Sequence, residues 1–231
     1  MRHVSALPLT ADDVPDLDAL ADAARVLEDA PATEIIAWAH ERFGDGIVLA
    51  ASFQDCVMID LVQQVAPTLG ITFVDTGYHF AETLWYVEQV RRRYDLDLVV
   101  AGAELPGDDG WLTDPDGCCA VRKVAPLNRA LEGRTAWLSG LRRADGATRA
   151  NTPIVSYDLR RGLVKVNPIA TWTDEQVEQY QVERDLPRHP LADRGYASIG
   201  CWPCTRPVAE GDDPRAGRWA GSTKTECGLH L

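Results

Sequence analysis

Short apolar runs alternate with amphipathic stretches through the middle of the chain, and this alternation limits the fold more than any other feature. Ile47-Val48-Leu49-Ala50-Ala51 ends in Ser52-Phe53-Gln54-Asp55, and a helical stretch follows with Val57, Ile59, Leu61, Val62 and Val65 apolar. Ile71-Thr72-Phe73-Val74 runs into Asp75-Thr76-Gly77, and the next helix carries Phe80, Leu84, Val87 and Val90. Leu96 to Ala101 and Thr135 to Leu141 read as two further strands, the second preceded by a helix around Val124 to Leu131. Such a pattern predicts an α/β fold with a mostly parallel, doubly wound sheet. Right-handed crossovers then place the loops after the strands along one sheet edge, where ligands bind.

The flanking segments differ in texture. Val14, Leu17, Leu20, Ala24 and Leu27 fall on one face of an acidic helix, and a second helix begins near Pro31 and stops near Gly44. Residues 1–45 are therefore expected as a helical segment packed on a core domain of residues 46–208. Ile154 to Tyr157 and Leu163 to Val166 flank Arg160-Arg161-Gly162 as a hairpin. Thr173-Asp174-Glu175-Gln176 is a capping box that opens a helix to about Arg184. Between Glu210 and Thr225 there are few aliphatic anchors, so residues 209–231 read as a mobile tail.

Composition narrows the function. The 231 residues are 45% hydrophobic and 25% charged, values of a soluble globular protein. The formal charge of −12 excludes a general affinity for nucleic acid or anionic membrane. No apolar run approaches the ~20 residues of a membrane span. Met1-Arg2-His3-Val4-Ser5 leads into acidic sequence without the apolar core of a secretory signal, so a cytoplasmic location is expected. An anionic ligand would need a local cationic pocket inside a repelling field.

The chain has six cysteines. A reducing cytosol argues against a disulfide scaffold. Cys118-Cys119 and Cys201-x-x-Cys204 supply four thiols, which suit zinc or an iron–sulfur cluster. A C-x-x-C also serves thiol redox chemistry. Adjacent cysteines point their side chains apart, a spread that a larger cluster accepts. Cys56, beside Val57-Met58-Ile59, reads as a small buried hydrophobe. Cys227 lies on a polar, glycine-flanked tail and is free to move. Ser52 to Asp55 and Asp75 to His79 each lead into a helix whose first amides attract phosphate or sulfate. Lys123, Arg142, Arg143, Arg215 and Arg218 recur beside strand ends and thiols. His40, His189 and His230 receive no role, and Trp202 is read as a shield for the thiol site.

Taken together, these motifs resemble the assimilatory adenylyl-sulfate reductases, specifically the bacterial type with thioredoxin as electron donor. The resemblance runs from about Ile47 to the C-terminus. It rests on Ser52-Phe53-Gln54-Asp55, on the run from Asp75 to Thr83, and on the run from Cys118 to Leu127. Gly140-Leu141-Arg142-Arg143, Val166-Asn167-Pro168, Gly200-Cys201-Trp202-Pro203-Cys204 and Glu226-Cys227-Gly228-Leu229-His230 complete it.

The resemblance implies a Rossmann-like sheet of the adenine-nucleotide α-hydrolase type. It implies a [4Fe-4S] cluster on Cys118, Cys119, Cys201 and Cys204, with Cys227 as the nucleophile toward adenosine 5′-phosphosulfate. Substrate-binding roles fall to Lys123, Arg142, Arg143, Ser52, Gln54, Asp75, Thr76, Gly77, Arg215 and Arg218. One departure stands out. The S-G-G-x-D-S pyrophosphate loop of related ATP pyrophosphatases is replaced by Ser52-Phe53-Gln54-Asp55-Cys56, which fits one phosphate and a sulfate better than a triphosphate. Three other readings compete. Enzymes restricted to the 3′-phosphorylated substrate generally lack both cysteine pairs, an ATP-dependent ligase is disfavoured by the altered loop, and a non-catalytic iron–sulfur or zinc protein leaves E-C-G-L-H unexplained.

Overall fold

In a computed structural model of the chain, residues 16–102, 107–209 and 211–230 are described. Val14 of the first helical face, the rest of residues 1–15 and Glu210 lie outside these. Helix α1 (Leu17–Val26) is capped by the Asp16 carboxylate, which accepts from the Asp18 and Ala19 amides. Helix α2 (Ala32–Phe43) starts after Pro31 and stops at Gly44. The alternating core follows as β1 (Ile47–Ala51), α3 (Val57–Val65), β2 (Gly70–Asp75), α4 (Ala81–Tyr94) and β3 (Leu98–Gly102). Two short helices, α5 (Gly110–Thr113) and α6 (Pro115–Cys119), precede a π-turn over Ala120–Val124 and α7 (Ala125–Ala130). Strand β4 (Ala136–Ser139), the hairpin β5 (Val155–Asp158) and β6 (Leu163–Val166), and α8 (Asp174–Glu183) complete the order.

The six strands form one sheet in the order β3-β2-β1-β4-β6-β5. All neighbouring pairs are parallel except β5 with β6. Side chains alternate across the sheet, so the central strands β1, β4 and β6 feed two cores. Ile47 and Leu49, Phe73, Leu138, Val164 and Val166 belong to the larger core, with α2 and α3. Val48, Trp137 and Leu163 belong to the smaller one, with Leu127 and Leu131. This two-sided burial explains why the strands read as continuous apolar runs. The chain order reverses direction between β1 and β4. Their C-terminal ends therefore diverge into a crevice, the topological switch point at which open α/β sheets bind ligands.

Two sequence expectations change. Leu17 is 53% exposed, and Ala23 joins Leu20 on the buried face of α1. The tail is anchored rather than bare, because Trp219 is buried and its amide donates to the Cys204 carbonyl at 2.9 Å. Among the described residues no helix is long and apolar enough to cross a membrane.

Asp60 of α3 ties α3, α4 and α8 together. Its buried carboxylate accepts from the Tyr94 hydroxyl (2.8 Å), the Tyr180 hydroxyl (2.6 Å), Gln64 Nε2 (2.8 Å) and Arg184 Nε (3.1 Å). Burial opposes ionisation, but the Tyr180, Arg184 and Tyr94 donors outweigh it and hold the carboxyl below its ordinary range. Replacing Asp60 with Ala strands two hydroxyls and is expected to cost about 2–3 kcal/mol, a figure kept low because Arg184 is half exposed. Because the folded-state pKa is depressed, the stabilisation is complete above about pH 4 and fades as pH falls through the folded value. Urea unfolding of wild type and Asp60→Ala should thus differ at pH 7 and converge in acid.

Candidate active site

A cavity of about 480 Å³ opens at the switch point. The end of β1 contributes Ala50, Ala51 and Ser52, and the end of β4 contributes Ser139, Gly140 and Leu141. The loop after β1 is built against preference. Phe53 has a left-handed φ of 56°, a conformation that glycine adopts at no steric cost. Its ring is fully buried and meets Phe73 edge to face at 5.2 Å, and this packing holds the turn. Beyond it, Gln54 Oε1 accepts from the Ile199 amide at 3.0 Å, which pins another cavity loop. Asp55 stands half-buried in the wall, where desolvation pushes its carboxyl pKa up.

The thiols come together in a second, smaller pocket. Cys118, Cys119, Cys201 and Cys204 line it with Tyr78, Arg122, Lys123 and Trp219. The helical stretch from Pro115 to Ala130 widens into a π-turn at Ala120–Val124, and this turn carries Arg122 and Lys123. Pro126 has no N–H to offer the carbonyl four residues back, which loosens the regular ladder there. The Cys201 segment is stitched alongside. The Trp202 amide donates to the Tyr78 carbonyl at 2.8 Å, and the Thr76 hydroxyl lies 3.3 Å from Cys201 Sγ.

Burial pushes Cys119 up to about 11, and raises Cys118 and Cys204 with help from Cys201. A metal that takes these thiols must therefore displace their protons. Among the described residues no three His, Cys, Asp or Glu side chains converge on a single ion. Four thiols line this one pocket beside Arg122 and Lys123, a donor set that zinc and an iron–sulfur cluster both accept.

Lys123 lines both pockets and is only 9% exposed. It makes no hydrogen bond or ion pair among the described residues. Burial acts against its charge, yet Cys201 and Cys227 hold its pKa above the ordinary lysine value. Cys227 lines the large cavity with Arg215, Arg218 and His230. The Arg218 guanidinium packs on the bare Cα of Gly200, where any side chain would collide with it. Gly228 follows Cys227 with φ +84°, so the turn that presents the thiol needs glycine.

The tail closes through Glu226. Its buried carboxylate accepts from Arg149 Nε (2.8 Å) and Nη2 (2.9 Å), the Thr148 hydroxyl (3.1 Å) and Arg215 Nη2 (3.2 Å). Trp219 adds a second anchor, with Arg218 at 4.8 Å, Lys224 at 5.5 Å and Arg215 at 5.8 Å from its ring centroid.

The structure brings Ser52, Gln54, Thr76, Lys123, Arg142, Arg215, Arg218 and Cys227 to the cavity. Asp75 and Gly77 stand outside it, where the Asp75 carboxylate accepts from the Gly77 amide at 2.8 Å. Arg143 is also turned away. It pairs with Glu28 (Nη2–Oε2 3.0 Å) and donates to the Thr152 carbonyl (2.8 Å), so it joins the N-terminal helices to the core. Sequence reasoning missed Arg149, Glu226 and His230. Arg149 carried no signal, whereas Glu226 and His230 lay inside the motif already quoted around Cys227.

Residues 46–207 match the phosphoadenosine phosphosulfate reductase domain. The chain belongs to this family. An adenosine 5′-phosphosulfate reductase of Mycobacteroides abscessus is 47% identical over 230 residues, covering 96% of this chain and 97% of that protein. The enzyme of the same name from Streptomyces coelicolor is 48% identical, covering 93% and 95%. The phosphoadenylyl-sulfate reductase of Candida auris superposes with a TM-score of 0.74 at 24% identity, over 87% of this chain and all of that one. FMN adenylyltransferase of Candida glabrata has the same core at a TM-score of 0.58 and 13% identity, over 90% and 73%. The Rossmann-like sheet expected from the motifs is thus the fold observed.

Glu226→Gln removes the charge that gathers Arg149 and Arg215. The tail should loosen by about 3 kcal/mol, read as an on-the-order-of 100-fold loss of amide protection in residues 211–230. Protection in β1 and β4 should not change. Equal protection of the tail in both proteins would show that Trp219 alone holds it.

Proposed function

We propose that the chain reduces adenosine 5′-phosphosulfate to sulfite and AMP through a covalent intermediate on Cys227, with thioredoxin as reductant. The observation that carries this reading is Cys227 in the wall of a switch-point cavity that also gathers Lys123, Arg215 and Arg218. Near-full-length identity to proteins named for this activity supports the choice of substrate.

The chemistry follows from these groups. The Cys227 thiolate attacks the sulfur of the sulfate, the S–O bond to phosphate breaks, and AMP leaves with the bridging oxygen and the electron pair. The product is S-sulfocysteine. A thioredoxin thiolate then attacks Cys227 Sγ, the S–S bond breaks, and sulfite departs with that electron pair. The second thioredoxin thiol resolves the mixed disulfide and restores Cys227, so the two electrons come from the dithiol. The first step sets a thiolate against an anion. Lys123, Arg215 and Arg218 offset that repulsion and bind the charge that develops on the leaving phosphate.

Closure of the tail excludes water from the reacting sulfur, and opening exposes the intermediate to a protein-sized reductant. Cys118, Cys119, Cys201 and Cys204 would hold a [4Fe-4S] cluster, which when bound supplies a charged group beside Lys123 that tunes the electrostatics of the site. The location consistent with this thiol chemistry is the cytoplasm.

Sulfite release from each nucleotide with reduced thioredoxin tests the reading. The 5′-phosphosulfate should be strongly preferred, and Cys227→Ser should release none. Preference for the 3′-phosphorylated compound would favour the rival reductase activity. Lys123→Ala should lower kcat/KM by on the order of 100-fold or more, whereas an unchanged kcat/KM would remove Lys123 from the site. Anaerobically purified protein should contain about four iron and four sulfide per chain, and Cys201→Ser should lose them. Stoichiometric zinc without sulfide would contradict the cluster.

A further inference from the structure

Lys165 is a buried lysine in the otherwise apolar strand β6. A lysine there is expensive to bury, and nothing in the fold requires one. It stands directly across from Trp137 of β4, on the face of the smaller core. Its Nζ lies 4.9 Å from the Trp137 ring centroid and 3.2 Å from Nδ1 of His230. The His230 ring stacks on Trp137, with centroids 5.7 Å apart and planes within 6° of parallel. Two strands and the tail thus build one packed unit of three side chains, of which Trp137 and His230 line the cavity.

The sense of this contact follows from the charge on Lys165. An ammonium donates hydrogen bonds and accepts none, so Nδ1 of His230 is the unprotonated nitrogen. Burial, and then the cations Lys165, Arg149, Arg161 and Arg215, hold the imidazole neutral. Its one ring proton is therefore on Nε2. Burial pulls Lys165 down to about 8, against Asp158, which leaves it mostly charged at neutral pH. Nε2 has no hydrogen-bond partner among the described residues, and the ring lines the same cavity as Cys227.

We propose that Lys165 is a positioning residue: by donating to Nδ1 it fixes His230 as the Nε2–H tautomer, so that the cavity meets a donor where an anionic oxygen has to be bound. This rests on the reading of the cavity as a phosphosulfate site. The opposite tautomer would turn a lone pair toward an anion and repel it.

The test is nitrogen NMR of the imidazoles in full-length, anaerobically purified protein, with His230→Gln to assign the signal. Wild type should show His230 as Nε2–H, and Lys165→Met should lose that preference. In turnover, Lys165→Met should lower kcat by on the order of tenfold or more, with a smaller change in KM. Lys165→Met combined with His230→Ala should be no slower than His230→Ala alone, within about twofold, because the lysine acts through the histidine. An Nδ1–H ring in wild type, an unchanged tautomer in Lys165→Met, or losses that multiply in the double variant would overturn the assignment. The tautomer is read without substrate. A chain that reduces no phosphosulfate would therefore overturn the proposed function, while the His230 signal would still decide the role of Lys165.

Discussion

Lys123 carries a positive charge into a site nearly closed to water, with no carboxylate among the described residues to balance it. Desolvating such a group is unfavourable by several kcal/mol. Burial acts against that charge and the neighbouring Cys201 and Cys227 act for it, with the Lys123 pKa held above the ordinary lysine value. The dependence runs both ways. In the proposed reaction, a cation uncompensated by carboxylates is available to thiolate, sulfate and leaving phosphate in turn. At an effective dielectric near 20, each such charge at ~4 Å contributes about 4 kcal/mol. The chain's net charge of −12 makes this gathering of cations more necessary, because the surface field repels the same anions.

The tail completes that charge pattern. Arg215 and Arg218 would repel each other and Arg149 in a dry cavity. Burial, with repulsion from neighbouring arginines, pulls both Arg215 and Arg218 below the ordinary arginine value. Glu226 meets two of the three guanidiniums, and the Trp219 ring meets two of the same set. One carboxylate next to Cys227 therefore sets where the thiol stands. It also gives closure a modest energy, since a few polar contacts rather than a broad apolar face hold the segment. A segment held in this way is less firmly fixed than one packed by a broad apolar face.

Much of this was legible in the sequence, for physical reasons. A sheet buried on both faces writes long apolar runs, so β1, β2 and β4 were readable within a residue or two. The capping box at Thr173 and the stop at Gly44 are local chemistry and were equally readable. The two cysteine pairs and Cys227 stood out because thiols are rare. Less legible were groups whose role depends on distant partners. Arg142 and Arg143 are identical neighbours, yet one faces the cavity and the other reaches Glu28, because the chain turns between them. Arg149 gains its meaning only from Glu226, and Lys165 only from His230. The tail read as unanchored because its anchors are one tryptophan and a set of ion pairs, which leave no aliphatic pattern. Phe53 hid a left-handed turn that a glycine would have announced.

In the proposed reaction Cys227 takes the sulfur before any reductant acts. Intact-mass analysis of the protein mixed with adenosine 5′-phosphosulfate, without thioredoxin, tests it most directly. An adduct of about 80 Da, the mass of SO₃, is expected, as covalent catalysis requires. It should map to the peptide that contains Cys227 and vanish when reduced thioredoxin is added. An adduct on Cys56 or on a cysteine of the two pairs, or sulfite formed at full rate with no adduct on Cys227, would contradict it.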